Sequence, residues 1–511
     1  MNISKSIAFL SLLLAGTATG VQAQYIDEIR RYAQPEQGAT ARFKGLGNAQ
    51  TALGGDLSSV SGNPAGLGFF GQSDLSITLD YANDVNKASY FGTNSQNSIG
   101  RVGISQFAAV FNLPTRRAIG SNLTSGWVNF NIGVGYHKTN NFNSTLGYTG
   151  INSESSIADF MTYESGNVFG DFGWESGMID EDAEGYLIPM TTLDNRQTAF
   201  NREEGFQSET NVSFGANYSN RFYIGGSLGF SRVNHRVNSL FMEDGSIENA
   251  GYIYPQNPSS RFVNTGHADY DIYNPLLESD YAYDNEYWSD TRGNGFNAKL
   301  GIIYKPVSQL QIGITATTPT WYTLTNEYTD YFGITNYLTG GTEDGLEYPE
   351  ETTYFDYNLR TPYRLNGGIA VLFGTGLISA DVEYVDYASM QFTSSDTGTD
   401  NNMNNEIKNT YKSAVNFRVG GEYMIAPDLM IRAGYGYAGG PFKDFDSNIQ
   451  TVSAGLGYRI NNLYFDLAYQ NMSQKYSLKP YVLDDANGHY SPVVDVDNFR
   501  NSVFLTAGFK F

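Results

Sequence analysis

The side chains with most chemistry to offer are charged residues at alternate positions in runs that are otherwise apolar or small. Lys299, Arg364, Asp381, Glu383, Arg418, Glu422, Arg432 and Asp466 all fit this description. A guanidinium so placed can grip a carboxylate through two parallel hydrogen bonds. The same spacing can also build an internal ion-pair network, because both signs occur on neighbouring segments. For an anionic head, Arg364 is the first choice, since it falls in an outer half-segment. Arg418 and Arg432 come nearer the middle. Catalytic patterns are missing: no nucleophile elbow, Ser-His-Asp set or phosphate loop ahead of a helix can be placed, so an enzyme is not expected. His137, His235, His267 and His489 are scattered and Cys is absent, so neither a metal site nor a cofactor is expected.

Residues that alternate in this way need strands to position them. In the last ten residues, SVFLTAGFKF, Val503, Leu505, Ala507, Phe509 and Phe511 face one way. Thr506, Gly508 and Lys510 face the other. Apolar towards lipid and small or polar towards a lumen is the pattern of a transmembrane barrel. A final strand carrying Phe509 and Phe511 resembles the C-terminal signal of Gram-negative outer-membrane barrels. Similar alternation recurs in about fourteen segments, from 74–82 to 501–511. The predicted fold is all-β, an antiparallel transmembrane barrel. Tight turns (YSNR at 218–221, KPVS at 305–308, FGTG at 373–376, APD at 426–428, INN at 460–462) should lie on the periplasmic side. Seven longer loops, including 139–207, 236–291 and 320–359, should lie outside. Tyr304, Tyr384, Tyr423, Tyr437, Tyr458 and Tyr469 suit an interfacial aromatic girdle.

The first residues predict export. Lys5, the apolar run Ile7–Gly16 and Val21-Gln22-Ala23 read as a signal peptide, 1–23, cleaved after Ala23. No later stretch has the apolar length of a membrane helix. A net charge of −22 argues against nucleic acid, which needs basic patches. Acidic, aromatic runs such as Asp271–Trp288, with Trp174 and Trp321–Tyr322, offer either a landing site for greasy molecules or ordinary solvated loops.

Residues 24–73 precede the barrel segment, 74–511. The stretch Tyr25–Tyr32 predicts a short helix. The glycine-rich run Gly45–Phe70 predicts a plug, or hatch, in a lumen wide enough to leak. Pro64 fixes the backbone there, and Asn63 can tie the plug to the wall.

Asn63-Pro64-Ala65-Gly66-Leu67 ahead of a fourteen-stranded barrel resembles the FadL-type family of outer-membrane transporters. So do Thr361-Pro362-Tyr363-Arg364, Ile378–Met390, Ile431–Phe442 and Ser453–Gln470. The resemblance implies passive uptake of hydrophobic small molecules such as long-chain fatty acids. It further implies an apolar lumen pocket, hatch movement and lateral exit through a gap at the third strand. Here that strand, 125–138, contains no proline or other breaker. The implied partners are a hydrophobic ligand (fatty acid or hydrocarbon), outer-membrane lipid and the barrel-assembly machinery. Alternatives are a receptor for haem or a partner protein, and a general porin.

Overall fold

The computed structural model describes residues 28–36, 38–116, 124–164, 166–338, 341, 343–483 and 490–511. The expected signal segment 1–23, residues 24–27 of the expected plug, and His489 lie outside them.

Fourteen strands close into one antiparallel ring. The first seven are β1 (Asp74–Tyr90), β2 (Thr93–Pro114), β3 (Trp127–Asn141), β4 (Asn195–Tyr218), β5 (Phe222–Ser246), β6 (Asp280–Val307) and β7 (Leu310–Thr317). The rest are β8 (Arg364–Phe373), β9 (Gly376–Asp386), β10 (Ser413–Ala426), β11 (Leu429–Ala438), β12 (Ile449–Ile460), β13 (Leu463–Leu478) and β14 (Val494–Lys510). Each pairs with the next, and β14 returns to β1 along a ladder from Asp74–Lys510 to Ser89–Asp495. Closure matters because hydrocarbon offers no partner to an unpaired backbone N–H or C=O.

Side-chain alternation follows the sequence pattern. On β14, Val503, Leu505 and Phe509 are exposed, whereas Phe504 and Thr506 are buried. On β5 the outward residues Ile224, Leu228 and Phe230 give way to Arg232, Arg236 and Asn238. That change marks the outer edge of the apolar band. β4, β5 and β6 have 24, 25 and 28 residues. Such strands reach roughly 80–90 Å, against an apolar band of roughly 25 Å. Their upper halves therefore form a wall above the membrane edge.

This wall changes the reading of the outer connections. Much of 139–207, 236–291 and 320–359 is strand rather than loop. A hairpin of Trp321–Tyr337 and Glu343–Arg360 stands on the upper half of β6, and Ser144–Asn152 pairs with the upper half of β4. Of the seven outer connections expected to be long, the first is a two-residue turn. Phe91 and Gly92, both at positive φ, join β1 to β2 there. The alternation above the band carries no apolar signal in the sequence, because its outward face meets water. At the opposite end, Ser219 and Asn220 have φ 55° each, as a tight hairpin turn requires.

Candidate functional site

The segment from Ala39 to Phe70 is almost wholly buried and bonded to strands around the ring. Ala41 donates its backbone N–H to Thr506 Oγ1 of β14 (2.8 Å), and Gln470 of β13 donates to the Lys44 carbonyl (3.0 Å). Gln50 N, Thr51 N and Thr51 Oγ1 all donate to Asp381 Oδ2 of β9, each at 2.8 Å. Asn131 of β3 donates to the Leu67 carbonyl (2.7 Å), and Ser213 of β4 to that of Val60 (2.6 Å). A segment touching strands on every side lies in the lumen.

Its local shape follows from a few residues. Asn63 caps the 3-10 turn Pro64–Phe69, its Oδ1 accepting from Ala65 N (3.1 Å). Its Nδ2 donates to the Thr51 carbonyl (2.7 Å), pinning two turns of the segment together. Asp56 caps Leu57–Val60 in the same manner and also accepts from Thr40 Oγ1 (2.9 Å). Ala65 packs on Tyr223 and Ile303; Leu67 packs on Ala108 and Val110. Gly66 faces Ser59, whose Oγ would lie 2.3 Å from an added Cβ. The wall matches this segment with glycines of its own. A Cβ at Gly301 would lie 1.8 Å from Asn63 Oδ1, and one at Gly225 would lie 2.3 Å from the Pro64 carbonyl carbon. Close backbone approach thus depends as much on wall glycines as on those of the inner segment.

The three arginines singled out in the sequence fall into two clusters. Arg364 and Arg418 share Glu383, with Arg364 at 3.0 Å; Arg364 also donates to the Ala33 carbonyl (2.7 Å). Arg432, with no side-chain exposure, lies between Glu422 (2.6 Å) and Asp466 (2.7 Å). Glu422 also receives both arms of Arg42 from the inner segment (2.9 and 2.8 Å). Lys299 pairs with Glu209 and donates to the Ser61 carbonyl (2.8 Å). Every lumen-facing charge named from the sequence is therefore bonded to wall or inner segment. Arg364 lines a small cavity of about 100 Å³, together with Glu383, Lys299, Tyr322 and Thr361. Phe509 and Phe511 stack on the outer face with centroids 6.0 Å apart.

Several further residues take part. Arg500 joins Glu36 (3.1 Å) to Asp84 (3.3 Å), and Lys138 meets Asp80 at 2.5 Å. Arg500 and Asp84 stand just past the ends of the segments read as strands. Glu209 shares the inward face of β4 with Asn211 and Ser213, a signal the alternation does carry.

Above the inner segment the mouth is aromatic. Residues 28–33 are helical and bury Ile29 and Tyr32. Helices Ile157–Tyr163 and Val168–Glu175 bring Phe169 and Phe172 against Phe332, with centroids 5.3 and 4.9 Å apart. Trp174 and Tyr273 sandwich the Arg261 guanidinium at 3.9 and 3.7 Å. Glu243 is fully buried here. It accepts from Ser156 Oγ (2.6 Å), Tyr281 Oη (2.6 Å), Gln197 and Ile157 N (3.0 Å). Burial still raises its pKa, against these donors. Burial likewise pushes Asp330 up to about 7.

The remaining histidines do not converge. His235 is bonded to Tyr32 Oη (3.0 Å) and Glu203 (3.3 Å), and His137 is buried against Gly38. Among the described residues no group of three or more His, Asp or Glu side chains could hold a metal ion.

No protein-family model matches the chain, and no curated protein sequence matches it. Solved structures do. The P. putida toluene transporter TodX aligns over 93% of this chain and 99% of its own, at 14% identity and TM-score 0.51. A Pseudomonas aeruginosa FadL homologue aligns over 93% and 98%, at 14% identity and TM-score 0.53. Likeness at this identity is one of fold. The chain has the fold of the FadL-type barrels over nearly its whole length.

Proposed function

We propose that this chain is an outer-membrane channel for hydrophobic small molecules, with long-chain fatty acids as the leading class. The observation that carries the reading is the filled lumen beneath an aromatic mouth. Greasy solutes gain roughly 25 cal/mol for each Å² taken out of water. An aqueous pore serves them badly, whereas an apolar antechamber over a plug can hold them. The solved structures above support the reading, since one of them is a toluene transporter. A Gram-negative outer membrane is the location such a barrel fits.

In this account residues 24–73 are a hatch that closes the lumen, and Asn63-Pro64-Ala65-Gly66-Leu67 is its anchored turn. Arg364 is the residue we assign to an anionic head, because Glu383 already serves two guanidiniums beside the cavity. Arg418 supports it from the same carboxylate, and Arg432 holds the hatch. Lateral exit has support at the third strand. The β2–β3 ladder stops at the pair Gln106–His137, although both strands continue. Above it, Thr93–Ser105 of β2 has no strand partner on that side among the described residues; Arg101 pairs with Glu204, Asn97 Oδ1 accepts from Gly147 N (2.8 Å), and Lys138 reaches past β2 to Asp80 of β1.

Mass spectrometry of protein extracted in mild detergent tests the ligand class. Co-purified fatty acids or hydrocarbons are expected. Protein consistently free of both, yet folded, would count against the proposal.

A further inference from the structure

A second break in the wall lies five strands round the ring from the β2–β3 seam. The chain leaves β7 through Thr318-Pro319-Thr320 and re-forms a strand at Trp321. The neighbouring chain ends a strand at Arg360, passes Thr361-Pro362-Tyr363, and enters β8. The registers Thr317–Arg364 and Trp321–Arg360 place Pro319 directly opposite Pro362. Neither proline has an N–H, so the ladder breaks in both strands at one height. Only Thr320 and Thr361 bridge it, Thr361 N donating to the Thr320 carbonyl (3.0 Å) and Thr320 N to Thr361 Oγ1 (2.8 Å). β6 also changes partner here, pairing with β7 up to Lys299 and with the Trp321–Tyr337 strand from Phe296.

Open space lies on both faces of this break. Inside is the cavity that Arg364 lines, reaching Thr318, Thr320, Thr361 and Pro362. Outside is a groove of about 640 Å³ bordered by Phe230, Phe296, Trp321 and Arg360. Tyr322 borders both. Its ring packs over Gly295, where a Cβ would lie 2.6 Å from Cδ1, and its hydroxyl is held by Gln207 Nε2 (2.6 Å). Tyr322 is the first inward-facing residue where the ladder resumes above the break (Tyr322–Gly295 and Tyr322–Leu359), and its ring lines the lumen side beside the gap.

The outer groove has the make-up of an amphiphile site. Phe230, Phe296, Trp321 and Arg360 stand side by side in one cross-strand row. Phe296 and Trp321 stack at 5.1 Å. The next row up is polar, with Asn294, Thr323 and Asn358, so this row sits at the edge of the apolar band. Arg360 is exposed, donates to the Ser389 carbonyl (3.3 Å), and has no carboxylate partner among the described residues. Three aromatic rings suit an acyl chain, and the guanidinium suits an anionic head.

The geometry points to a side door at the paired-proline break: Tyr322 is its shutter, and the groove holds a single-chain amphiphile with a carboxylate head. This rests on the transport reading above and adds a wall portal distinct from the β2–β3 seam.

The chain has no cysteine and four tryptophans, which permits a clean test. In a W127F/W174F/W288F background, Trp321 alone reports on the groove. A fatty acid brominated along its chain should quench it saturably. Arg360→Gln should weaken that binding at least fivefold, while the methyl ester should show no such dependence. Added lipopolysaccharide tests whether a lipid phosphate holds the groove instead. If it abolishes quenching at trace levels, the carboxylate assignment is wrong. In cells, Tyr322→Ala should raise fatty-acid uptake at least threefold, and Tyr322→Phe, which keeps the ring, should not. Wild-type uptake with no quenching and no effect of Y322A overturns the side door. Quenching with no wild-type uptake instead overturns the transport reading and leaves the groove as a binding site only.

Discussion

Asn63 does two jobs with one amide, capping a turn and pinning Thr51. Loss of such a cap and a buried bond costs about 1–3 kcal/mol. Asn63→Ala should therefore loosen the inner segment without unfolding a barrel held by fourteen ladders. Raised ion conductance in planar bilayers would register it. Gly301→Ala attacks the same contact from the wall, because its Cβ would fall on Asn63 Oδ1. It should give an equal or larger leak. Conductance unchanged in both variants would mean that this contact does not hold the lumen shut. In the mouth, Asp330 is raised by burial from 3.8 to about 7. A raised carboxylate binds more protons when folded, so its stabilising effect is full below about pH 4 and fades as pH rises towards 7. Hydrogen-exchange protection around Phe332, corrected for intrinsic rates, should fall across that window. Asp330→Asn should flatten the dependence.

The ladders run unbroken around most of the ring and are interrupted at the β2–β3 seam above Gln106–His137. The β2–β3 seam is crossed by ion pairs and the Gly147 N–Asn97 bond rather than by a backbone ladder. Lys138→Met should therefore speed uptake of a fatty-acid probe severalfold, and the exchanged pair D80K/K138D should bring it back towards wild type. Equal uptake in all three proteins would remove the seam from the route. Strand positions within the apolar band were legible in the sequence, because lipid on one side enforces a period of two. Val503 and Leu505 against Phe504 and Thr506 show why. The upper ends of β4, β5 and β6 were not legible, since Arg236 and Asn238 there face water as a loop residue would. The lumen charges were legible as inward-facing residues, but not their partners. Arg42 pairs with Glu422 across 380 positions of sequence, and nothing local announces such a contact. The proline break was also hidden. Pro319 and Pro362 are 43 positions apart by their numbering, and only the register shows them face to face.

The molecule as a whole is a closed wall, an anchored inner segment and an aromatic mouth stacked along one axis. Net charge of −22 and the lack of cysteine leave hydrogen bonding and packing to hold these layers together. Deleting 39–68 should leave the ring intact and raise ion leakage steeply, as single-channel recording would show. The central claim is that this filled barrel passes hydrophobic solutes. The most direct measurement is uptake of a radiolabelled long-chain fatty acid by cells whose own outer-membrane channel for it has been removed. Cells carrying this chain should take up the label several times faster than cells carrying an empty vector. Uptake no faster than the empty vector, with the folded barrel present in the outer membrane, would contradict the account.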